Sequence, residues 1–179
     1  MIIINDVEIL NALVEFLKEN ISKHFQLKKP PVNNKILGDY ELVNLAIYKG
    51  WVPPKNYLEE YGYDIPGIIV MLDEGIDDSE NAEIAIRLKV ITYDPGKVKE
   101  DKTLSPNVEG YVDLLNVITR IRMELSKNPI ILKKVNVNKP IRWSMDKEQS
   151  YPYWSADVSF NVSIAPFDFE IKNGYERYL

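Results

Sequence analysis

The densest group of side chains able to hold a proton or a metal ion is the run DEGIDDSENAE at residues 73–83, with Asp73, Glu74, Asp77, Asp78, Glu80 and Glu83 acidic. Hard carboxylate oxygens suit calcium, but a calcium loop sets its ligands in a D-x-[DN]-x-[DN]-G-x5-E spacing, and Gly75 comes too early for it. The plainer reading is a solvated hairpin tip whose charge keeps neighbouring strands from pairing wrongly. The single histidine, His24, stands beside Lys23 at the polar end of a helical pattern. There it complements the C-terminal helix dipole and has no nucleophile to serve. The chain contains no cysteine, which removes disulfides, thiolate nucleophiles and cysteine-based metal sites, and fits a reducing cytoplasm. A G-x-S-x-G elbow is absent, and Gly62 and Gly67 have neither the spacing nor the following lysine of a phosphate loop. The expectation is a protein that is not an enzyme, with no metal and no cofactor.

A chain of 179 residues, 45% hydrophobic and 27% charged, is read as one domain over 1–179 with a real core. A net charge of −5 argues against a nucleic-acid backbone as main partner, although LKKP around Lys28 and LKKVNVNK at 132–139 are short basic runs. No apolar run approaches the roughly 20 residues of a membrane span. The N-terminal MIIINDVEIL lacks the basic segment and cleavage site of a secretion signal. No membrane and no specific nucleic acid are therefore expected as partners.

The elements that must position any site follow from periodicity. Asn5 or Asp6 can cap a first helix whose Val7, Leu10, Val14, Leu17 and Ile21 share one face, widened by Ile9, Leu13 and Phe16. It should stop near His24 to Lys29, before Pro30-Pro31. Residues 30–66 form a Tyr- and Pro-rich excursion with no sustained period. Its aromatic surface is too large to leave in water, and a short strand is expected near Glu41 to Tyr48. GIIVML (67–72) and EIAIRLKVITYD (83–94) read as a hairpin joined by the acidic turn, with Asp94-Pro95-Gly96 as its end. A second helix begins at Asn107, with Tyr111, Leu114, Leu115, Ile118, Ile121 and Leu125 on one face, and ends at Asn128-Pro129. ILKKVNV and IRWSM are short strand candidates. The fold class is α+β, a mainly antiparallel sheet with two principal helices on one face.

The last strand is the most regular feature. From Trp154 to Ile164 every second residue is apolar, and Ser155, Asp157, Ser159, Asn161 and Ser163 lie between them. Such a strand spans about 37 Å, longer than the usual five or six residues. It either crosses the whole sheet with its polar face in water, or its far half projects beyond the domain and pairs edge-on with copies of itself.

Three stretches, in order, carry a resemblance. They are EIAIRLKVITYDPG at 83–96, GYVDLLNVITRIRMEL at 110–125 followed by NPII, and RWSMDKEQSYPYWSADVSFNVSIAP at 142–166. Together they resemble the tail terminator, or tail completion, proteins of tailed bacteriophages and of related phage-tail-like particles. The similarity covers about 83 to 166; the excursion at 30–66 matches no pattern of that family. The resemblance implies a small α+β protein that assembles as a ring, usually of six copies. The ring closes the end of the tail tube and presents a surface to the head-side connector. Its partners would be further copies of itself, the tail tube protein, the connector where a head is present, and the sheath protein where the tail contracts. Its place would be the virion or tail-like particle, assembled in the bacterial host cytoplasm. A head-to-tail connector or neck protein, and a small-molecule-binding soluble domain, are the alternatives.

A ring needs heterologous contacts built on exposed apolar and aromatic surface. Tyr151, Tyr153 and Trp154, with the neighbouring Ser155 and Asp157, are the interface candidates, because aromatic anchors dominate interface energetics. The same rings could equally pack beneath the sheet's own helices.

Overall fold

The computed structural model describes residues 5–166 apart from 34, 36–38, 55–56, 59, 79 and 134. The MIII start of the segment read for a secretion signal, and Lys134 of the second lysine run, lie outside the described residues.

Helix α1 (Asp6–Asn20) opens with a capping box. The Asn5 side chain accepts from the Glu8 amide at 2.9 Å, and the Glu8 carboxylate accepts from the Asn5 amide at 3.1 Å. In that first turn Val7 is 64% exposed, against the expectation that it joins the apolar face; Ile9, Leu13, Val14 and Leu17 are buried. The helix stops at Asn20, earlier than expected, and gives way to a 3-10 turn (Ser22–His24) in which His24 is exposed. In that turn the buried Ser22 hydroxyl donates to the Leu45 carbonyl at 2.6 Å.

The strands are β1 (Leu27–Lys28), β2 (Leu42–Val43), β3 (Ala46–Lys49), β4 (Gly67–Asp77), β5 (Ala82–Tyr93), β6 (Lys97–Val98), β7 (Leu104–Ser105), β8 (Ile130–Ile131), β9 (Val135–Met145) and β10 (Tyr153–Ile164). Helix α2 (Glu109–Lys127) lies between β7 and β8. Six strands form one curled sheet in the order β3-β4-β5-β10-β9-β8, antiparallel except for the parallel β3–β4 pair. The class is α+β, with both helices on one face.

Register follows from alternation. Ile68, Val90 and Ala156 lie abreast, as do Val70, Leu88 and Val158, and all are buried on the helix side. Helix α1 packs on β3 and β4, and α2 packs on β5 and β10, through Leu114, Ile118, Ile121 and Leu125. One continuous core joins both helices and the sheet. Each such side chain contributes about 1.5–3 kcal/mol when fully buried. Among the described residues no helix is long and apolar enough to cross a membrane.

Four sequence expectations are corrected. The acidic run is not a turn: β4 continues through Asp73, Glu74 and Asp77, and β5 begins at Ala82. Charges are tolerated there because that end of the strand is exposed on its surface, and Asp73 is held by Arg87 at 2.7 Å. The two short candidates near 130–145 become β8 and one long β9 that runs through Pro140. Proline is admissible because it stands at a bulge, where the β9–β10 register skips residues 139–141, and because β8 pairs only with Val135 and Asn136, which leaves the other flank of Pro140 open. The single strand expected near Glu41 to Tyr48 is split, with β2 paired to β1 and β3 to β4. Finally, β10 neither projects nor forms an edge. It pairs with β5 over its whole length and with β9 on its other side, so it is the second of the two readings of that strand that fails.

The described part of the excursion is ordered by its tyrosines. Tyr48 donates to the Tyr63 carbonyl, Tyr63 donates to the Asn44 carbonyl at 2.7 Å, and Tyr61 sits edge-on to both rings. Burial, reinforced by the nearby Asp64 charge, pushes the Tyr48 hydroxyl up to about 12.

The T-Y-D-P-G end of β5 ties this region to the sheet. Asp94, 3% exposed, accepts from Lys28 of β1 at 2.8 and 2.9 Å and from the Gly96 amide at 2.7 Å. A positive φ of 103° at Gly96 and backbone 2.2 Å from where a Cβ would stand make glycine obligatory there. Lys28→Met strands a buried carboxylate and is expected to destabilise the fold by about 3 kcal/mol. Lys23→Met, at an exposed helical pair with Glu19, leaves the urea midpoint unchanged.

Candidate assembly surface

The five residues singled out from sequence fall at the start of β10, but they serve different surfaces. Trp154 belongs to the helix side. Its indole lies over Gly110 in the first turn of α2, so closely that a Cβ on Gly110 would stand 2.4 Å from Trp154 Cδ1. Tyr111 meets the same indole edge-on at 5.8 Å and Tyr151 does so at 6.5 Å. Thr92 Oγ1 donates to the Gly110 carbonyl at 2.8 Å, so β5 and β10 grip the same turn. Trp154 is therefore mainly an internal clamp between sheet and helix, and its half-buried ring leaves little area for a partner. Its Nε1–H is buried with no acceptor among the described groups.

Tyr153 faces the other side of the sheet, opposite Tyr93 in the ladder, with ring centroids 5.2 Å apart. Tyr40 caps Tyr93 edge-on at 5.9 Å. Burial pushes the Tyr93 hydroxyl up strongly, with the neighbouring Tyr40 adding to it, and burial raises Tyr153 as well. Tyr151 is the most exposed of the three aromatics at 46%, although its hydroxyl donates to the Pro95 carbonyl.

Ser155 and Asp157 begin a polar lattice on the sheet face away from the helices. The Ser155 hydroxyl donates to Asp146, and Lys89 donates to the same carboxylate at 2.6 Å and lies 3.6 Å from Asp157. Gln149 closes the loop between β9 and β10, donating to the Asp146 and Ser155 carbonyls and accepting from the Ser155 amide at 2.7 Å. Further along, Asn138 donates to Glu83 at 2.8 Å and to Ser163 at 2.6 Å. Cross-strand pairing of this kind is why the polar face is largely half-buried rather than simply in water. Among the described residues no group of His, Cys, Asp or Glu is arranged to hold a metal ion.

Sequence reasoning passed over the two ends of the sheet. On one side, β3 pairs with β4 only as far as Val70, so residues 71–77 present an edge that no described strand covers. On the other, β8 leaves residues 138–145 of β9 open in the same sense. Beside that second edge, Met123, Pro140 and Ile141 line a groove of about 670 Å³ between α2 and β9. Trp143 stands 42% exposed on the same strand. Pro140 inside an otherwise alternating strand was the available signal, because proline is confined to edges.

No protein-family model matches the chain, and no curated protein matches it.

Gly110→Ala forces methyl against indole and is expected to destabilise by about 1–3 kcal/mol in urea denaturation, despite the better helix propensity of alanine. The Asp146 carboxyl gives a pH test. Burial raises its pKa, but the Lys89 and Ser155 hydrogen bonds and the Lys89 charge outweigh burial and hold it below the ordinary value. A group lowered in the folded state stabilises above its unfolded pKa, and the contribution is lost as pH falls through the folded one. Asp146→Asn is thus expected to cost about 1–2 kcal/mol at neutral pH, the gap from wild type closing as pH falls through and below the ordinary aspartate range. Parallel urea titrations from neutral pH down into the acid range check it.

Proposed function

We propose that this chain is a structural subunit of a phage tail or tail-like particle, a tail-terminator-type protein that forms a ring at the end of the tail tube. The observation that carries the reading is where the three resembling stretches go. Residues 83–96 become β5 and its tight end, 110–125 become most of α2, and 142–166 become the end of β9, its loop and β10. They converge as one block, with β10 between β5 and β9 and the Trp154–Gly110 clamp fastening α2 across it. A resemblance spread over unrelated surfaces would be weaker support than one that folds into a single unit.

The distribution of charge also supports a role in assembly. The buried Asp94 carboxylate is spent on an internal pair with Lys28, while exposed large apolar side chains include Ile76 and Trp143 on the open strand edges, Val112 and Met123 on α2, and Val32, Trp51 and Tyr57 in the excursion. Interfaces draw on that second kind of surface.

The purified chain, alone and mixed with the tube protein encoded near it, is expected to give a closed ring of about six copies that caps tube ends, read by mass photometry and negative-stain microscopy. Capping of the connector instead of the tube would favour the neck alternative, and a monomer that binds neither would overturn the reading.

A further inference from the structure

We propose that the two open edges of the sheet are the two halves of one head-to-tail contact between copies of this chain. Residues 71–77 of β4 in one copy pair with residues 138–145 of β9 in the next, so that the sheet continues from subunit to subunit. Each edge offers a row of backbone donors and acceptors, the template on which a further strand adds.

Charge selects the partner. Strand β4 carries Asp73, Glu74 and Asp77 and no basic residue; β9 carries Lys139 and Arg142 and no acidic one. Among the described residues Glu74, Lys139 and Arg142 take part in no ion pair, and Glu74 and Arg142 are exposed. Pairing β4 with β4, or β9 with β9, sets like charges face to face, whereas β4 with β9 sets opposite charges together. The pattern therefore works against a two-fold dimer and in favour of a heterologous contact, the kind that closes into rings.

Direction and register agree. Successive strands from β4 to β9 alternate in direction, so β4 of a neighbour related by rotation about an axis along the strands meets β9 antiparallel. Read across the ladders, Arg142 lies level with Met71 and Asn138 level with Glu74. Asp73 is the extra residue of a bulge in β4, so the open parts face one another over most of their length, with the polar faces on the same side, when neighbours are staggered by two rungs, roughly 7 Å. That stagger carries β8 of one copy past the end of β4 and leaves β3 of the other level with β9 only at Met145, its last residue. It also brings Glu74 opposite Arg142. A sheet closed into a barrel needs a stagger of this sort, because closure tilts its strands. Pro140 limits new ladder bonds to the stretch beyond it, where Trp143 supplies the anchor.

Closure into a ring rests on the reading given above; the edge contact itself is tested separately. The chain has no cysteine, so Glu74→Cys and Arg142→Cys placed together report it cleanly. Mild oxidation is expected to give a ladder of disulfide-linked multimers that collapses with reductant, while each single variant stays a monomer on a non-reducing gel. Glu74→Lys and Arg142→Glu are each expected to weaken association by about tenfold or more, and the double reversal to restore it, measured by light scattering. Association without the ladder, and without response to the charge swaps, overturns the edge contact and leaves the ring reading standing. A ladder in a protein that never caps tubes sinks the ring reading and keeps the contact. A chain that stays monomeric and unlinked at about 100 µM, well above the micromolar affinities of standard interfaces, overturns the contact as well.

Discussion

The arrangement depends on one ladder, the antiparallel pairing of β10 with β5 along the full length of both strands. The apolar residues of the two strands must fall on the same side, and a slip of one position would turn Val158, Phe160 and Val162 out to solvent and bring Asp157 and Asn161 in. Alternation on both strands thus acts as a double lock on register. Because β10 also carries β9, that lock is transmitted across the sheet, and because Trp154 sits at its start, it positions α2 as well.

Polar groups follow a rule complementary to that lock. Where a carboxylate is buried, as Asp94 is, it meets an ammonium group and a backbone amide together. Where the sheet is left uncovered by helices, long side chains span neighbouring strands, with Lys89 between Asp146 and Asp157 and Asn138 between Glu83 and Ser163. The helix-free face is therefore a woven polar surface. Its order comes from strands that the core has already fixed, so it is stiff without being dry.

Much of this was legible in the residue pattern, and the exceptions have physical causes. Strict alternation announced β5 and β10, and the three-four spacing announced α1 and α2, because one-sided burial forces those periods. The outer half of β4 was hidden by Asp73, Glu74 and Gly75, which look like a turn but stand on an exposed hairpin arm that places no demand on either face. Strand β9 was hidden by Pro140, which reads as a break unless the strand is known to lie at an edge. The parallel β3–β4 pair came from a segment without any period. For the candidate surface, spacing put Trp154 on the apolar face, but only Gly110, far away in sequence, reveals that a helix turn comes down on it. Alternation could not say that the strand is central, since edge and central strands share the same period.

The centrality of β10 also bears on how the molecule comes into being. Tyr153 pairs with Tyr93 and Ile164 with Ala82, so every rung of that ladder reaches across the whole of α2 and β9. Contacts of such long reach are the slowest to close. While the chain is still leaving the ribosome, the hairpin of β4 and β5 can form from neighbouring residues, yet the inner flank of β5 stays bare until the final strand arrives. Until β10 has emerged, β5 lacks its partner along that whole flank, and its alternating apolar residues stand open to any competing strand.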